Sequence, residues 1–167
     1  HYVAVPARYF PLAVTVIDGA GAPVDANNAG GYVDPNSASL REFEVVRIRA
    51  HVKDGYRIKR WVGLEDDTYK DPNITMTVHG PIALSIEFEQ IPLHTLITRV
   101  AGCNGTLSPN HRRGQQYREG TVVNLVAAPA ETYIIDRWEG TDDDVCWTKT
   151  NQVTIDGSSI EGFLRIE

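Results

Sequence analysis

The feature that most constrains this chain is an internal echo. Gly55-Tyr56-Arg57-Ile58-Lys59-Arg60-Trp61-Val62-Gly63-Leu64-Glu65-Asp66-Asp67 returns about 77 residues later as Thr132-Tyr133-Ile134-Ile135-Asp136-Arg137-Trp138-Glu139-Gly140-Thr141-Asp142-Asp143-Asp144. A period of that size is a whole small domain, not a solenoid rung of roughly 20 to 50 residues. Function is therefore to be sought in tandem repetition before it is sought in an active site.

The echo extends beyond the tryptophan. Gly31-Tyr32-Val33-Asp34-Pro35-Asn36 matches Gly105-Thr106-Leu107-Ser108-Pro109-Asn110, and Val46-Arg47-Ile48-Arg49-Ala50 matches Val123-Asn124-Leu125-Val126-Ala127. After the acidic stretch, Asn73-Ile74-Thr75-Met76 matches Gln152-Val153-Thr154-Ile155, and Ser85-Ile86-Glu87-Phe88-Glu89 matches Phe163-Leu164-Arg165-Ile166-Glu167. Two copies thus cover nearly the whole chain. The boundary is expected near Gln90-Ile91-Pro92, where a proline between two strand-like runs ends one ladder before the next begins. This gives one module over 9–90 and a second over 91–167. Residues 1–8 are expected to be the terminal strand of a preceding copy or a linker, because His1-Tyr2-Val3-Ala4-Val5-Pro6 resembles the last strand of module 1. On that reading the sequence is a segment of a longer array.

Period-2 alternation dominates. Val46, Ile48 and Ala50 share one strand face while Arg47, Arg49 and His51 share the other. Further strands are expected at about 12–17, 57–62, 74–78 and 82–88, with second-copy partners at about 95–100, 134–139, 152–155 and 162–166. The best helical candidate is Ser37 to Val46. Its counterpart, Arg112 to Thr121, contains Gly114 and Gly120, which weigh against a helix. The expected fold class is all-β: two tandem small antiparallel β domains, each sandwich-like.

Charge and composition exclude some classes. A net charge of -6 with a pI near 5.3 argues against a nucleic-acid binder, which would carry a basic stripe. No run approaches the roughly 18 apolar residues of a membrane-spanning helix, so no membrane insertion is expected in this segment. His1, His51, His79, His94 and His111 have neither metal-ligand spacing nor an accompanying nucleophile motif. A catalytic role is not expected.

The repeated order Gly-aromatic-x-x-x-x-Trp, a small residue, an acidic loop, Asn-x-Val-Thr-Ile and a closing strand ending in Glu resembles the divergent internalin-type B-repeat. So do Gly105-Thr106-Leu107-Ser108-Pro109, Tyr117-Arg118-Glu119-Gly120-Thr121-Val122-Val123 and Ala127-Ala128-Pro129 upstream. The second copy matches along almost its full length. The first departs from the pattern where Ser39-Leu40-Arg41-Glu42-Phe43 replaces the glycine-containing turn, and where Asp18 to Gly30 forms an expanded loop. The resemblance implies tandem modules of a bacterial surface or secreted protein, outside the cell, serving as spacers, stalks or adhesive segments. It also implies a fold alternative, β-grasp-like α+β modules. Partners would be neighbouring repeats or copies of the same protein, and possible surface glycans.

Several residues carry specific expectations. Trp61 and Trp138 are large enough to centre a core of about 80 residues, and their indole N–H groups then need partners. Tyr56 and Tyr133 are expected at strand starts, in the same cores with their hydroxyls wet. A sugar-stacking platform is the alternative reading of these aromatics. Gly63 and Gly140 permit the turn that begins each acidic loop. Glu65, Asp66, Asp67, Asp142, Asp143 and Asp144 could begin a calcium site, which needs six to eight oxygens, or could form a solvated turn. No other cofactor is expected. Cys103 and Cys146 could form a disulfide in an extracellular module, worth about 4 kcal/mol as an upper figure, or remain two thiols. Trp147 has no counterpart in copy one and is the best exposed aromatic for a ligand or a neighbouring chain. Tyr2, Val3 and Val5 would supply side chains for strand addition to such a neighbour.

Overall fold

The computed structural model describes residues 3–25, 27–66, 68–157 and 160–166. The chain divides into two units, His1–Gln90 and Ile91–Glu167. Among the described residues each holds seven strands. In the first they are β1 (Tyr9–Ile17), β2 (Gly31–Asp34), β3 (Ser37–Arg41), β4 (Val45–Val52), β5 (Tyr56–Val62), β6 (Asn73–Thr77) and β7 (Ile82–Gln90). In the second they are β8 (Leu93–Ala101), β9 (Gly105–Ser108), β10 (Gln115–Arg118), β11 (Val122–Pro129), β12 (Ile135–Glu139), β13 (Thr150–Thr154) and β14 (Ile160–Ile166).

The strands form a four-stranded and a three-stranded sheet in each unit. The orders are β3-β1-β7-β5 with β2-β4-β6, and β10-β8-β14-β12 with β13-β11-β9. Alternation explains how they face each other. Val46, Ile48 and Ala50 point inward from β4, and Val123, Leu125 and Ala127 do so from β11, while the residues between them face water. One core in the first unit joins Leu12, Trp61, Leu84 and Ile86 of the larger sheet to Ile48 and Ile74 of the smaller. The second joins Leu96, Trp138 and Leu164 to Leu125 and Val153. Two sheets packed face to face over a shared apolar layer are a sandwich.

The all-β expectation holds, with two corrections of detail. The helical candidate Ser37 to Val46 is strand β3, a turn and the start of β4, and 112–121 contains β10. Among the described residues there is no helix, so the β-grasp-like α+β alternative is set aside. The physical reason is local. Phe43 and Gly120 hold equivalent turn positions at φ 68° and 86°, which break any helix there. The sheets are also not wholly antiparallel. β1 runs parallel to β7, Leu12 opposite Ile82 through Ile17 opposite Glu87, and β8 runs parallel to β14, Leu96 opposite Ile160 through Ala101 opposite Arg165.

The expanded loop of copy one has a structural task. Asp18 Oδ1 accepts the N–H groups of Ala20 and Ala22, turning the chain back so that Val24 N–H donates to Val16 O at 2.9 Å. The loop therefore pairs with the half of β1 that lies beyond β3. Residues 3–8 carry no strand, and Val3 and Val5 are 84% and 78% exposed. His1 and Tyr2 of the expected terminal strand lie outside the described residues.

Candidate functional site

The repeated chemistry gathers around the loop after the tryptophan strand. Trp61 and Trp138 are buried, and their indole N–H groups donate to the carbonyls of Asp71 and Thr148, each at 3.1 Å. Each bond ties the far arm of an acidic loop to the core. Gly63 and Gly140, at φ 96° and 73°, turn the chain out of the strand. At Gly63 a Cβ would lie 2.8 Å from Ala83 O, so the close approach excludes a side chain.

Three carboxylates of these loops, those of Asp66, Asp142 and Asp144, are occupied by nearby backbone N–H groups and threonine hydroxyls. In copy one, Asp66 Oδ1 accepts the Thr68 hydroxyl at 2.6 Å and the Thr68 N–H at 2.8 Å, which holds its pKa below the usual value. In copy two, Asp142 accepts the Thr154 N–H and hydroxyl, each at 2.7 Å, tying the loop to β13. Asp144 accepts the N–H groups of Gly140 and Thr141 and the Thr141 hydroxyl. Partial burial pushes the Asp144 pKa up, but those three donors outweigh it and hold the carboxyl below the usual range. Asp143 contributes its carbonyl, which accepts from Asn151 Nδ2 at 2.8 Å. Among the described residues no three His, Cys, Asp or Glu side chains stand together as a metal-holding group. Asp67 lies outside the described residues, and Glu65 is exposed.

A shallow concavity flanks each loop. In copy one it measures about 400 Å³ between Leu64, Asp66 and Tyr69 and the strand residues Ile74 and Met76. In copy two it measures about 430 Å³ between Asp142, Asp143 and Cys146 and the strand residues Asn124 and Gln152. Trp147 is 78% exposed and Val145 86% exposed at the tip of the second loop.

Two other expectations are corrected. Cys103 and Cys146 are free thiols rather than a disulfide. Cys103 precedes β9 and Cys146 precedes β13, strands that flank β11 on opposite sides. Cys146 Sγ instead lies 2.8 Å from Thr148 Oγ1 and packs against the second core. Tyr133 is exposed, not a core residue. It falls in the turn before β12, next to Thr132 at φ 74°, whereas Tyr56 opens β5 and is half-buried against Gly30.

Some arrangements had no signal in the sequence. Tyr32 and His51 stack across β2 and β4 with ring centroids 4.5 Å apart, and Phe43 meets His79 edge-on at 5.7 Å. Buried Thr98 donates its hydroxyl to Pro109 O at 2.9 Å and accepts the His111 N–H at 2.7 Å. Glu87, also buried, receives both Lys59 Nζ and Arg60 Nε, at 2.8 and 2.7 Å. His111 Nε2 lies 2.7 Å from the Tyr117 hydroxyl. These are contacts that hold strands and turns.

The model of the divergent InlB B-repeat domain matches residues 22–92 and 95–160. The chain belongs to this family. Both B-repeat matches take in their module's tryptophan and acidic loop. No curated protein matches the chain. The B-repeat pair has no helix, among its described residues, long and apolar enough to cross a membrane.

Proposed function

We propose that the two B-repeat modules are a non-catalytic spacer of a bacterial surface or secreted protein, holding a neighbouring segment at a set distance outside the cell. One observation carries the reading. In each module the first and last strands are adjacent and parallel, so the chain goes in at one end of the module and leaves at the other. From Tyr9 to the end of β7, and from Leu93 to the end of β14, the advance along the strand axis is roughly 30 to 35 Å. A module so wired adds length with every copy. Family membership supports the same role, since a repeat that carries its own core can be multiplied without redesign.

The test is one of reach. The chain would be inserted between a cell-surface anchor and a small binding domain and compared with direct fusion. Capture of bead-bound ligand should improve with the pair and improve again with a second pair. Equal capture by all three would sink the proposal.

The exposure of Trp147 beside the second acidic loop favours an additional reading, an accessory module that touches surface glycans or a neighbouring copy, with calcium ordering the loop. Glycan-array binding that disappears in Trp147→Ala would support it. A calorimetric titration without heat, and without a rise in Tm, would remove the calcium part. Addition of Val3 and Val5 to a neighbouring chain's sheet belongs to the same proposal. Deletion of residues 1–8 should then weaken association and leave both modules folded.

A further inference from the structure

The same pair of strands that sets the length of a module also stands in the path of any pull along the chain. β1 and β7 are the two central strands of their sheet, as are β8 and β14 of theirs. Each pair is parallel over six register positions, from Leu12 to Ile17 and from Leu96 to Ala101. Tension applied through the two ends of a module draws its first strand backwards and its last strand forwards. Two parallel neighbours drawn in opposite directions slide along their common axis, so every ladder bond between them bears load at once. A pair drawn apart at one end loses its bonds one by one.

From this geometry we infer that each B-repeat module is a load-bearing element, with β1–β7 and β8–β14 as shear clamps that keep it folded under tension. The inference rests on the spacer reading, since only a chain held at both ends meets such a force.

Local details agree with that task. Val14 N–H donates to Asn36 O and Val16 O accepts from Val24 N–H, so the even positions of β1 face away from β7. Ala13, Thr15 and Ile17 then direct their N–H and C=O groups to the clamp. Pro11, which has no N–H, stands one position before the parallel register begins, and Pro81 stands one position before Ile82. Neither removes a clamp bond. Leu12, Val14, Leu84 and Ile86 are buried beneath the first ladder, and Leu96, Thr98 and Leu164 beneath the second. Water, which competes for strained bonds, reaches those inner faces poorly.

Other strand pairs would behave differently. β5 is antiparallel to β7, with Tyr56 opposite Gln90. Force applied at that end peels the pair open from Tyr56 inward.

Single-molecule stretching compares the two geometries in one folded chain. Held by its two ends, the full chain should give two high-force events, each releasing roughly 250 Å of contour. Held instead through Asp54→Cys and Gln90→Cys, in a Cys103→Ser, Cys146→Ser background, module 1 should open with loss of the high-force event. Far-ultraviolet circular dichroism of the variant would establish that it is folded before it is stretched. End-to-end events no higher than those of the peeling geometry would overturn the clamp, and a single high event would overturn it for the module that lacks one. Failure here would leave the reach assay untouched, whereas failure of the reach assay would remove the spacer without lowering the force.

Discussion

The indole N–H of Trp138 donates to the carbonyl of Thr148 at 3.1 Å, from a ring that is 1% exposed. One side chain thus fills the second core and fastens the loop that follows it. Trp138→Ala removes both, and a large-to-small change of this kind costs about 3 to 5 kcal/mol. Domains of this size have about 5 to 15 kcal/mol of stability, so module 2 should melt early or fail to fold. Module 1 has its own core and should keep its Tm. Differential scanning calorimetry of the full chain would separate the transitions, and a joint shift would contradict independent cores.

Glu87 should make module 1 acid-sensitive. The bulge in β5 between Ile58 and Arg60 brings Lys59 and Arg60 to the same buried carboxylate. The Lys59 hydrogen bond leads; burial opposes it; Arg60 adds to it, and the pKa falls below 4.5. A depressed carboxylate stabilises the fold above its unfolded pKa, and that contribution is lost as pH falls through the folded value. Module 1 should therefore lose Tm below about pH 4.5 more steeply in the wild type than in Glu87→Gln. Melting curves from pH 7 to 3 that run parallel would refute this.

Thr98→Val conserves shape and deletes the hydroxyl. Because that hydroxyl serves both Pro109 O and His111 N–H at a site 2% exposed, two polar groups lose their partner. The expected loss is about 1 to 3 kcal/mol in module 2. Urea unfolding would measure it, and an unchanged midpoint would mean that water takes the place of the hydroxyl.

Gly120→Ala tests the turn before β11. No atom lies within 4 Å of an added Cβ, and φ is 86°, so any cost is in the backbone alone. Left-handed geometry costs a non-glycine residue roughly 1 to 2 kcal/mol. Phe43 occupies the equivalent turn in copy one at φ 68°, its N–H donating to Val78 O at 2.7 Å. Phe43→Gly should accordingly cost module 1 much less than Gly120→Ala costs module 2, as read from the two Tm values.

Free thiols can be counted. Cys103 is exposed and Cys146 is partly covered beside Thr148. Alkylation of the native protein followed by intact-mass analysis should add one label quickly, at Cys103, and a second more slowly. Absence of any label would restore the disulfide.

The sequence by itself determined the strands that alternate over a core, the paired tryptophans and the glycine turns, because each is set by chemistry within a few residues. Val46, Ile48 and Ala50 can bury one face only as a strand, and Gly63 can turn where a Cβ would strike Ala83 O. The short strands β2, β9 and β10 were not legible, with only four residues each to carry a period, and β3 lay inside the stretch that reads as a helical candidate. Tertiary structure alone decided which strands pair and in which direction. Alternation shows which face a strand buries but says nothing about its neighbour, so the parallel union of β1 with β7, and of β8 with β14, follows from packing distant segments into one sandwich. The exposure of Tyr133 has the same origin. Its spacing from Trp138 matches that of Tyr56 from Trp61, yet the second strand starts two residues later, and only the folded chain places that tyrosine in the turn.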